Sequence, residues 1–431
     1  MEAPLLDALT ADPPAAAVPW LGEARAAALA ALRRDGLPDT RVEAWKYTSL
    51  RALAQRRLLR DDAAAASRPI GAQALEAIDA QAMRMVFVNG RHRADLSQLP
   101  DVQGLSLRSL ADTLMRDPDA ARDVYMPRDG GVAEAFARLN TVAAADGAVL
   151  RVAAGVRVAA PLEIVWIGTP AEADLAWHAR VLIELGARAS LTVVERHVAE
   201  SAHAHLGNLL VRCVVGAGAT LAWSTLQDAA PGSSLVRRSE ATLAEAAQLQ
   251  LHALETGAQF VRHDLAVDLA GDRARLVSRG VFALRGRQHA DTHLDVRHIG
   301  RDTACDLVWR GVADERARGV FHGAITIAPG ADGSDAQLSN KNLLLSPNAE
   351  IDTQPVLEIH ADEVKAAHGA TVGQLDERAL FYLRSRGIPA EDARTLLTQA
   401  FCAAVFAEVE PAPLRERLLA RLGGPDGALA P

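Results

Sequence analysis

The feature that most constrains this chain is a short signature (a small residue, any residue, then leucine) that returns at nearly constant spacing. It occurs at Ala189-Ser-Leu191, Ala219-Thr-Leu221, Ala247-Gln-Leu249, Ala274-Arg-Leu276, Cys305-Asp-Leu307 and Ala336-Gln-Leu338. The leucines lie 30, 28, 27, 31 and 31 residues apart. Between them run short strand-like alternations separated by Gly, Asp and Asn. A fixed period of this size marks a stacked solenoid, because one unit cannot bury its own apolar face. The units lack helices, so leucine-rich, ankyrin and HEAT architectures fit poorly. The pattern predicts a mainly β chain whose core, residues 148–373, is a right-handed parallel β-helix. A β-sandwich with evenly spaced turns is the alternative. Asn340 and Asn342 suit turn positions, where amide side chains bond the backbone.

The flanks read differently. Residues 1–147 form a mostly helical region with a short strand segment. Apolar and alanine spacing predicts a helix over 20–34, stopped by Gly36 and Pro38, and a second over 48–59. Residues 61–67 are a polar, small-residue linker. Met85-Val-Phe-Val88 reads as a strand running into an Asn89-Gly90 turn. Short helices are expected over 109–117 and 131–145. Residues 374–431 read as a small helical domain, with Asp376 as an N-cap, Gly387 at a left-handed C-terminal position and Pro389 opening the next helix. Leu396, Leu397, Ala400, Phe401, Ala404 and Val405 make one apolar stripe, and 414–422 a last amphipathic helix.

Composition excludes several classes. The formal charge of −8 lacks the basic footprint that nucleic acid demands. Cys213, Cys305 and Cys402 are the only cysteines, an odd number without a close pair, which argues against a disulfide framework and for a reducing compartment. No signal segment and no membrane-length apolar run is seen, so the reading is cytoplasmic, with no membrane partner. The sequence has no Gly-x-x-x-x-Gly-Lys-Ser/Thr and no Gly-x-Ser-x-Gly.

The C-terminal part carries the most specific motif: Glu358-Ile-His-Ala-Asp-Glu-Val-Lys-Ala-Ala-His368-Gly-Ala-Thr-Val-Gly373, followed by Leu380-Phe-Tyr-Leu-Arg-Ser-Arg-Gly-Ile388. Weaker landmarks precede it, among them Glu43-Ala-Trp-Lys-Tyr-Thr48, Gln288-His-Ala-Asp-Thr-His293 and Gly319-Val-Phe-His-Gly323. Together these resemble the SufB/SufD family of iron–sulfur cluster assembly proteins, and its SufD branch in particular, since the loop is His-Gly-Ala-Thr rather than His-Glu-Ala-Thr. The resemblance implies a scaffold subunit, not an enzyme. Such a subunit pairs with SufB through their β-helices and docks the ABC-type ATPase SufC through its C-terminal helices. Leu380, Phe381, Tyr382, Arg384 and Arg386 would form that docking face. The resemblance also makes His368 a contributor to a transient iron–sulfur cluster or iron shared with SufB, with Lys365 and Thr371 as neighbours. Whether the isolated chain forms a homodimer stays open.

Two observations limit the chemistry. Relatives often carry Cys where this chain has Ala366, and a methyl group cannot ligate. Clusters are held mainly by several thiolates, so three scattered cysteines leave this chain unable to hold one alone. Spacing by itself reads His368 as a histidine that hydrogen-bonds at a turn; the resemblance is what reverses that. Cys305 reads as an inward, inert thiol, and Cys213 and Cys402 as packing. The sets His289, His293, His298 and His197, His203, His205 lack the spacing of zinc sites and read as solvent-facing residues on solenoid turns. A β-helix carbohydrate-active enzyme, using carboxylates along a groove, and a purely structural solenoid are the alternatives.

Overall fold

The computed structural model describes residues 3–11, 13–60, 67, 69–99, 102–125, 131–423 and 427–429. In chain order the N-terminal region contributes α1 (Ala3–Thr10), α2 (Pro19–Asp35), α3 (Arg51–Ala54), β1 (Leu59–Arg60), β2 (Met83–Val88), β3 (Arg91–His92), β4 (Leu105–Ser109), α4 (Leu110–Arg116) and α5 (Ala135–Ala143). The predicted helix over 48–59 shrinks to the four residues of α3. The others form, with Ser109 capping α4 by accepting from the Asp112 N–H at 3.0 Å.

Sixteen strands then wind into a parallel β-solenoid of eight coils. They are β5 (Asp146–Val152), β6 (Leu162–Gly168), β7 (Leu175–Leu185), β8 (Ser190–Ala199), β9 (Leu206–Val215), β10 (Thr220–Asp228), β11 (Ser234–Leu243) and β12 (Gln248–Glu255). The second half is β13 (Phe260–Leu269), β14 (Arg275–Leu284), β15 (His289–His298), β16 (Ala304–Ala313), β17 (Arg318–Ile327), β18 (Asp335–Leu344), β19 (Glu350–Ile359) and β20 (Lys365–Gly373). Odd-numbered strands from β5 to β19 stack into one sheet and even-numbered strands from β6 to β20 into the other. The expected β-helix is therefore the observed core. β2 of the N-terminal region already pairs with β6 and extends the even sheet.

The corners explain the sequence signature. Passages from the odd to the even sheet, except the last, hold a residue in the left-handed region, among them Arg188, Gly218, Ala246, Arg273, Asp302 and Gly333. Its N–H donates to a carbonyl of the next coil: Arg188 to Ala217, Gly218 to Glu245, Ala246 to Asp272, Arg273 to Arg301, Asp302 to Asp332 and Gly333 to Glu363, all at 2.7–2.9 Å. A left-handed backbone disfavours non-glycine residues by ~1–2 kcal/mol; the corner ladder and the flanking strand pairs hold it. The next residue turns inward at a tight bend and is Ala189, Ala219, Ala247, Ala274, Thr303 or Ser334, all buried.

Register also corrects the repeat. Leu191, Leu221, Leu249 and Leu276 share one inward column, which continues through Cys305, Ala336 and Ala366. Leu307 and Leu338 stand in the neighbouring inward column, below His368. The signature slips by two residues after the fourth unit, and a slip of two keeps the same face, so alternation cannot reveal it.

The helices of the N-terminal region lie on the outer face of the odd sheet, while Ile70, Ala74 and Leu75 pack on the even sheet. Trp45, 1 % exposed, stacks on Phe136 with centroids 5.6 Å apart and lies under the Arg262 guanidinium at 4.5 Å. Thr48 is fully buried, with Oγ1 2.9 Å from His289 Nε2 and donating to Asp291. Arg262 closes the cluster with charge-assisted hydrogen bonds to Asp264 and Asp291. Burial alone would raise the Asp291 carboxyl; Arg262 and the bond with His293 instead hold it well below the usual carboxylate range.

On the other side, α6 (Glu377–Ser385), α7 (Ala390–Ala403) and α8 (Ala412–Gly423) follow the last coil. The end of α7 and α8 fold back on the even sheet: Cys402, Phe406, Leu414 and Leu418 pack on Val194, Leu226, Leu254 and Val312. Asp376 caps α6, accepting from the Arg378 N–H at 2.9 Å, and Gly387 is left-handed, as expected.

Removing one partner of a buried pair strands the other charge, at a cost of ~3–5 kcal/mol. Arg262→Met should therefore lower unfolding free energy by about that amount in urea titrations, with a red-shifted tryptophan emission as Trp45 loses its cover. An unchanged midpoint would show that the Trp45–Thr48 segment does not depend on this pair.

Candidate functional site

The two ends of the solenoid are built differently. At the start, the even sheet ends in the β2–β3 hairpin and the odd sheet in antiparallel β4, short pieces that shield the edges. At the finish, β19 pairs with β17 and β20 with β18, and among the described residues no strand lies beyond either. Two strand edges and the cross-section of the lumen are open there. Ile359 (44 % exposed) and Val372 (42 %) are apolar side chains at inward positions that no further coil covers.

His368 belongs to this open end. It lies in the middle of β20, a strand and not a turn. Its column of register partners is Leu162, Val193, Trp223, Leu251, Ser278, Leu307 and Leu338, all buried and inward. His368 thus occupies a core position and is exposed only because the stack ends. Ala366, Ala370 and Val372 share its face, while Lys365 and Thr371 fall on the outer face by alternation. The expected trio is not gathered: Lys365 and Thr371 flank His368 in sequence and point away from it.

Asn340 and Asn342 are likewise not turn residues. Both lie within β18, inward and buried. The Asn342 amide donates to Asn340 Oδ1 at 2.6 Å and to the Thr371 carbonyl at 3.1 Å, and Thr353 Oγ1 donates to Asn340 Oδ1 at 2.8 Å. These bonds tie β18, β19 and β20 together in the columns beneath Ala370 and Val372, beside that of His368. Sequence reasoning missed them because an Asn-x-Asn pair between leucines reads as a turn.

Apart from the exposed His360, the remaining histidines are buried or half-buried strand and corner residues, and the two sets read as solvent-facing are among them. His289 and His293 lie on the outer face of β15 under the N-terminal segment, with His293 3.0 Å from Asp291 and stacked on His322. His298 points inward, its Nδ1 2.8 Å from Thr303 Oγ1 and its Nε2 3.3 Å from Cys305 Sγ. His197 sits in the lumen against Glu195 at 2.8 Å, and His203 stacks on His205. Burial pushes His203, His252, His289 and His298 down to about 4, so each is neutral near pH 7. Among the described residues no group of three or more His, Cys, Asp or Glu is arranged to hold a metal ion.

The thiols are equally withdrawn. Cys213, Cys305 and Cys402 are all buried and free. Burial pushes Cys305 and Cys402 up to about 12 and Cys213 further still. None is a thiolate near neutrality, and none lies in β20. The last coil therefore offers two exposed imidazoles, His368 on the inner face of β20 and His360 at the corner that follows β19, and no thiolate from this chain.

Helix α6, expected from the resemblance to carry the docking face, has a different character. Every α6 side chain is at least partly exposed, with Phe381 at 73 % and Tyr382 at 57 %. Arg386 lies over the Tyr382 ring at 5.1 Å. On α7, Leu396 is also exposed, although Cys402 and the following turn pack on the solenoid. The apolar stripe read from sequence is thus only partly covered: Leu396, Ala400 and Ala404 are exposed, Leu397 and Phe401 half-buried, and Val405 buried.

A β-solenoid shielded at one end and open at the other, followed by an exposed helical hairpin, places the chain in the class of parallel β-helix proteins. The comparisons give the family. Residues 168–401 match the family model for the SUF system FeS cluster assembly SufBD core domain, and residues 14–164 that for the SufBD protein N-terminal region. The chain is similar to the iron–sulfur cluster assembly protein SufD of Escherichia coli, 32 % identical over 91 % of this chain and 90 % of that protein. A SufBD family protein of Synechocystis is 28 % identical, covering 89 % and 86 %. SufD of Bacillus subtilis is 26 % identical over 71 % of each chain. This chain belongs to the SufBD family of the SUF iron–sulfur cluster assembly system.

The four neutral histidines give a pH prediction. Their folded pKa values lie below the unfolded value of about 6.5, so the unfolded state binds more protons between the two. Their contribution is present above about 6.5 and is lost as pH falls toward 4. The thermal midpoint should fall steadily from pH 7 to pH 4.5. A flat profile across that window would contradict neutral, buried imidazoles.

Proposed function

We propose that this chain is a non-ATPase scaffold subunit that joins a SufB-type solenoid and a SufC-type ATPase in iron–sulfur cluster assembly in the cytoplasm. The observation that carries the reading is the position of His368 on the inner face of an uncapped last coil. A partner solenoid meeting this end covers Ile359 and Val372, pairs the free edges of β19 and β20, and closes over His368. The cluster is cargo at that junction. This chain supplies one imidazole, whose lone pair suits iron, and the partner supplies the thiolates that the buried cysteines and Ala366 cannot. The exposed α6–α7 hairpin, with Leu380, Phe381, Tyr382, Arg384 and Arg386, is the face offered to the ATPase. Aromatic and arginine side chains of this kind dominate interface energies.

A carbohydrate-active β-helix is less well supported, because such an enzyme needs an exposed pair of carboxylates. Glu195 and Asp291, fully buried and held by Arg237 and Arg262, do not provide one.

His368→Ala removes an exposed side chain, so folding and partner binding should be unchanged. In anaerobic reconstitution with SufB- and SufC-type partners, cluster formation should fall at least ~10-fold. Wild-type rates from the variant would reduce His368 to a bystander. Separately, Phe381→Asp combined with Tyr382→Asp should weaken ATPase binding by ~2–4 kcal/mol in calorimetry, leaving the thermal midpoint in place. Undiminished binding by that folded variant would move the docking face elsewhere.

A further inference from the structure

Away from the open end, a groove of about 720 Å³ runs along the flank where even-sheet strands turn into odd-sheet strands. Its floor is made of small residues at successive corners, including Ala229, Gly257 and Gly286, and its walls are residues 71–76 and α8. The volume lies within the usual range for small-molecule sites. Five arginines line it against three carboxylates, a local positive excess on a chain of net charge −8.

Three of those arginines are committed. Arg421 pairs with Asp228, Arg417 lies 3.7 Å from Glu76, and Arg196 is buried against Glu163 at 3.0 Å. The third carboxylate, Glu200, accepts from the Gly71 N–H at 3.0 Å. Arg285 and Arg287 remain, both exposed and neither in a close ion pair among the described residues, although Arg285 lies near enough to Asp228 to act on its carboxylate. The turn that bears them is rigidly held. Gln288 accepts from the Arg285 N–H at 2.8 Å and donates to the Thr256 and Ala258 carbonyls, while the Gln259 amide donates to the Arg287 carbonyl. Gly286 between them is left-handed. The backbone is pre-organised while both guanidinium groups are left with unused donors.

We infer that this groove is a binding site for a phosphate-bearing small molecule, with Arg285 and Arg287 as the phosphate clamp. Planar guanidinium forks match phosphate oxygens with parallel N–H donors. The small-residue floor leaves room for the rest of the ligand to lie along the corners. The site is independent of His368.

The test is calorimetric titration of the full chain with pyrophosphate at fixed ionic strength, with citrate as a carboxylate comparison. Wild type should bind pyrophosphate saturably and more tightly than citrate. Arg285→Gln combined with Arg287→Gln should weaken pyrophosphate at least ~10-fold, as expected for losing charge-assisted hydrogen bonds, with the thermal midpoint unchanged. Absence of saturable pyrophosphate binding to wild type, equal binding by the variant, or citrate binding as tightly would each overturn the assignment. The wild-type comparison stands even if the variant folds poorly.

Discussion

Everything in this molecule hangs on the parallel register between coils. Each strand bonds to the equivalent strand one coil on, so a side chain's fate is set by its column more than by its neighbours in sequence. Inward columns must be apolar or internally paired, and corners must be small. The same rule makes the termini of the stack special, because the last coil has inward residues without a lid. At the N-terminal end short antiparallel pieces provide one. At the C-terminal end the helices fold back along the flank instead, leaving the final coil bare.

That asymmetry gives a physical account of the candidate site. His368 is not held in a pocket lined by ligating groups. It takes a column position that Leu307 and Leu338 fill in the coils below, and it becomes available because stacking stops. Ala366 follows the same logic. Its column descends through Ala336 to Cys305, so the one thiol on this line is two coils deep and protonated by burial. The Asn342 amide, braced by Asn340 and Thr353, donates to the Thr371 carbonyl and so fixes the strand that bears the imidazole, which a frayed edge strand would not do alone.

The period was legible because tight corners admit only small residues and inward positions favour leucine; the helical cap at Asp376 was legible for local reasons too. What could not be read was register. A two-residue slip preserves face and alternation, so Leu307 and Leu338 were aligned with the wrong leucines. Polarity misled in the same way: Asn340, Asn342 and the histidines looked like surface residues because their partners are distant in sequence. Arg262 meets Thr48 and Asp291 only once the N-terminal segment lies on the odd sheet. The Glu43–Thr48 motif was visible, but nothing local announced that Trp45 and Thr48 would be buried beneath that arginine.

The polar groups inside the lumen answer a problem that leucine columns create. In a repeating solenoid, a shift by one coil puts leucine on leucine again and costs little apolar burial, so periodic packing alone specifies register weakly. Glu195, Arg237, His197 and Trp223 break that degeneracy. The Glu195 carboxylate takes Arg237 at 2.6 Å, His197 at 2.8 Å and the Trp223 indole at 3.2 Å, and Arg237 reaches on to Thr225 and Ser239. Burial works against the Glu195 charge, yet Arg237 and His197 bring the carboxyl down to about 2. Any shifted register would strand these groups unpaired in the interior, where each uncompensated charge costs several kcal/mol. The leucines make the stack stable, while the buried ion pair makes one register the native one and so fixes which residue, His368, arrives at the open end.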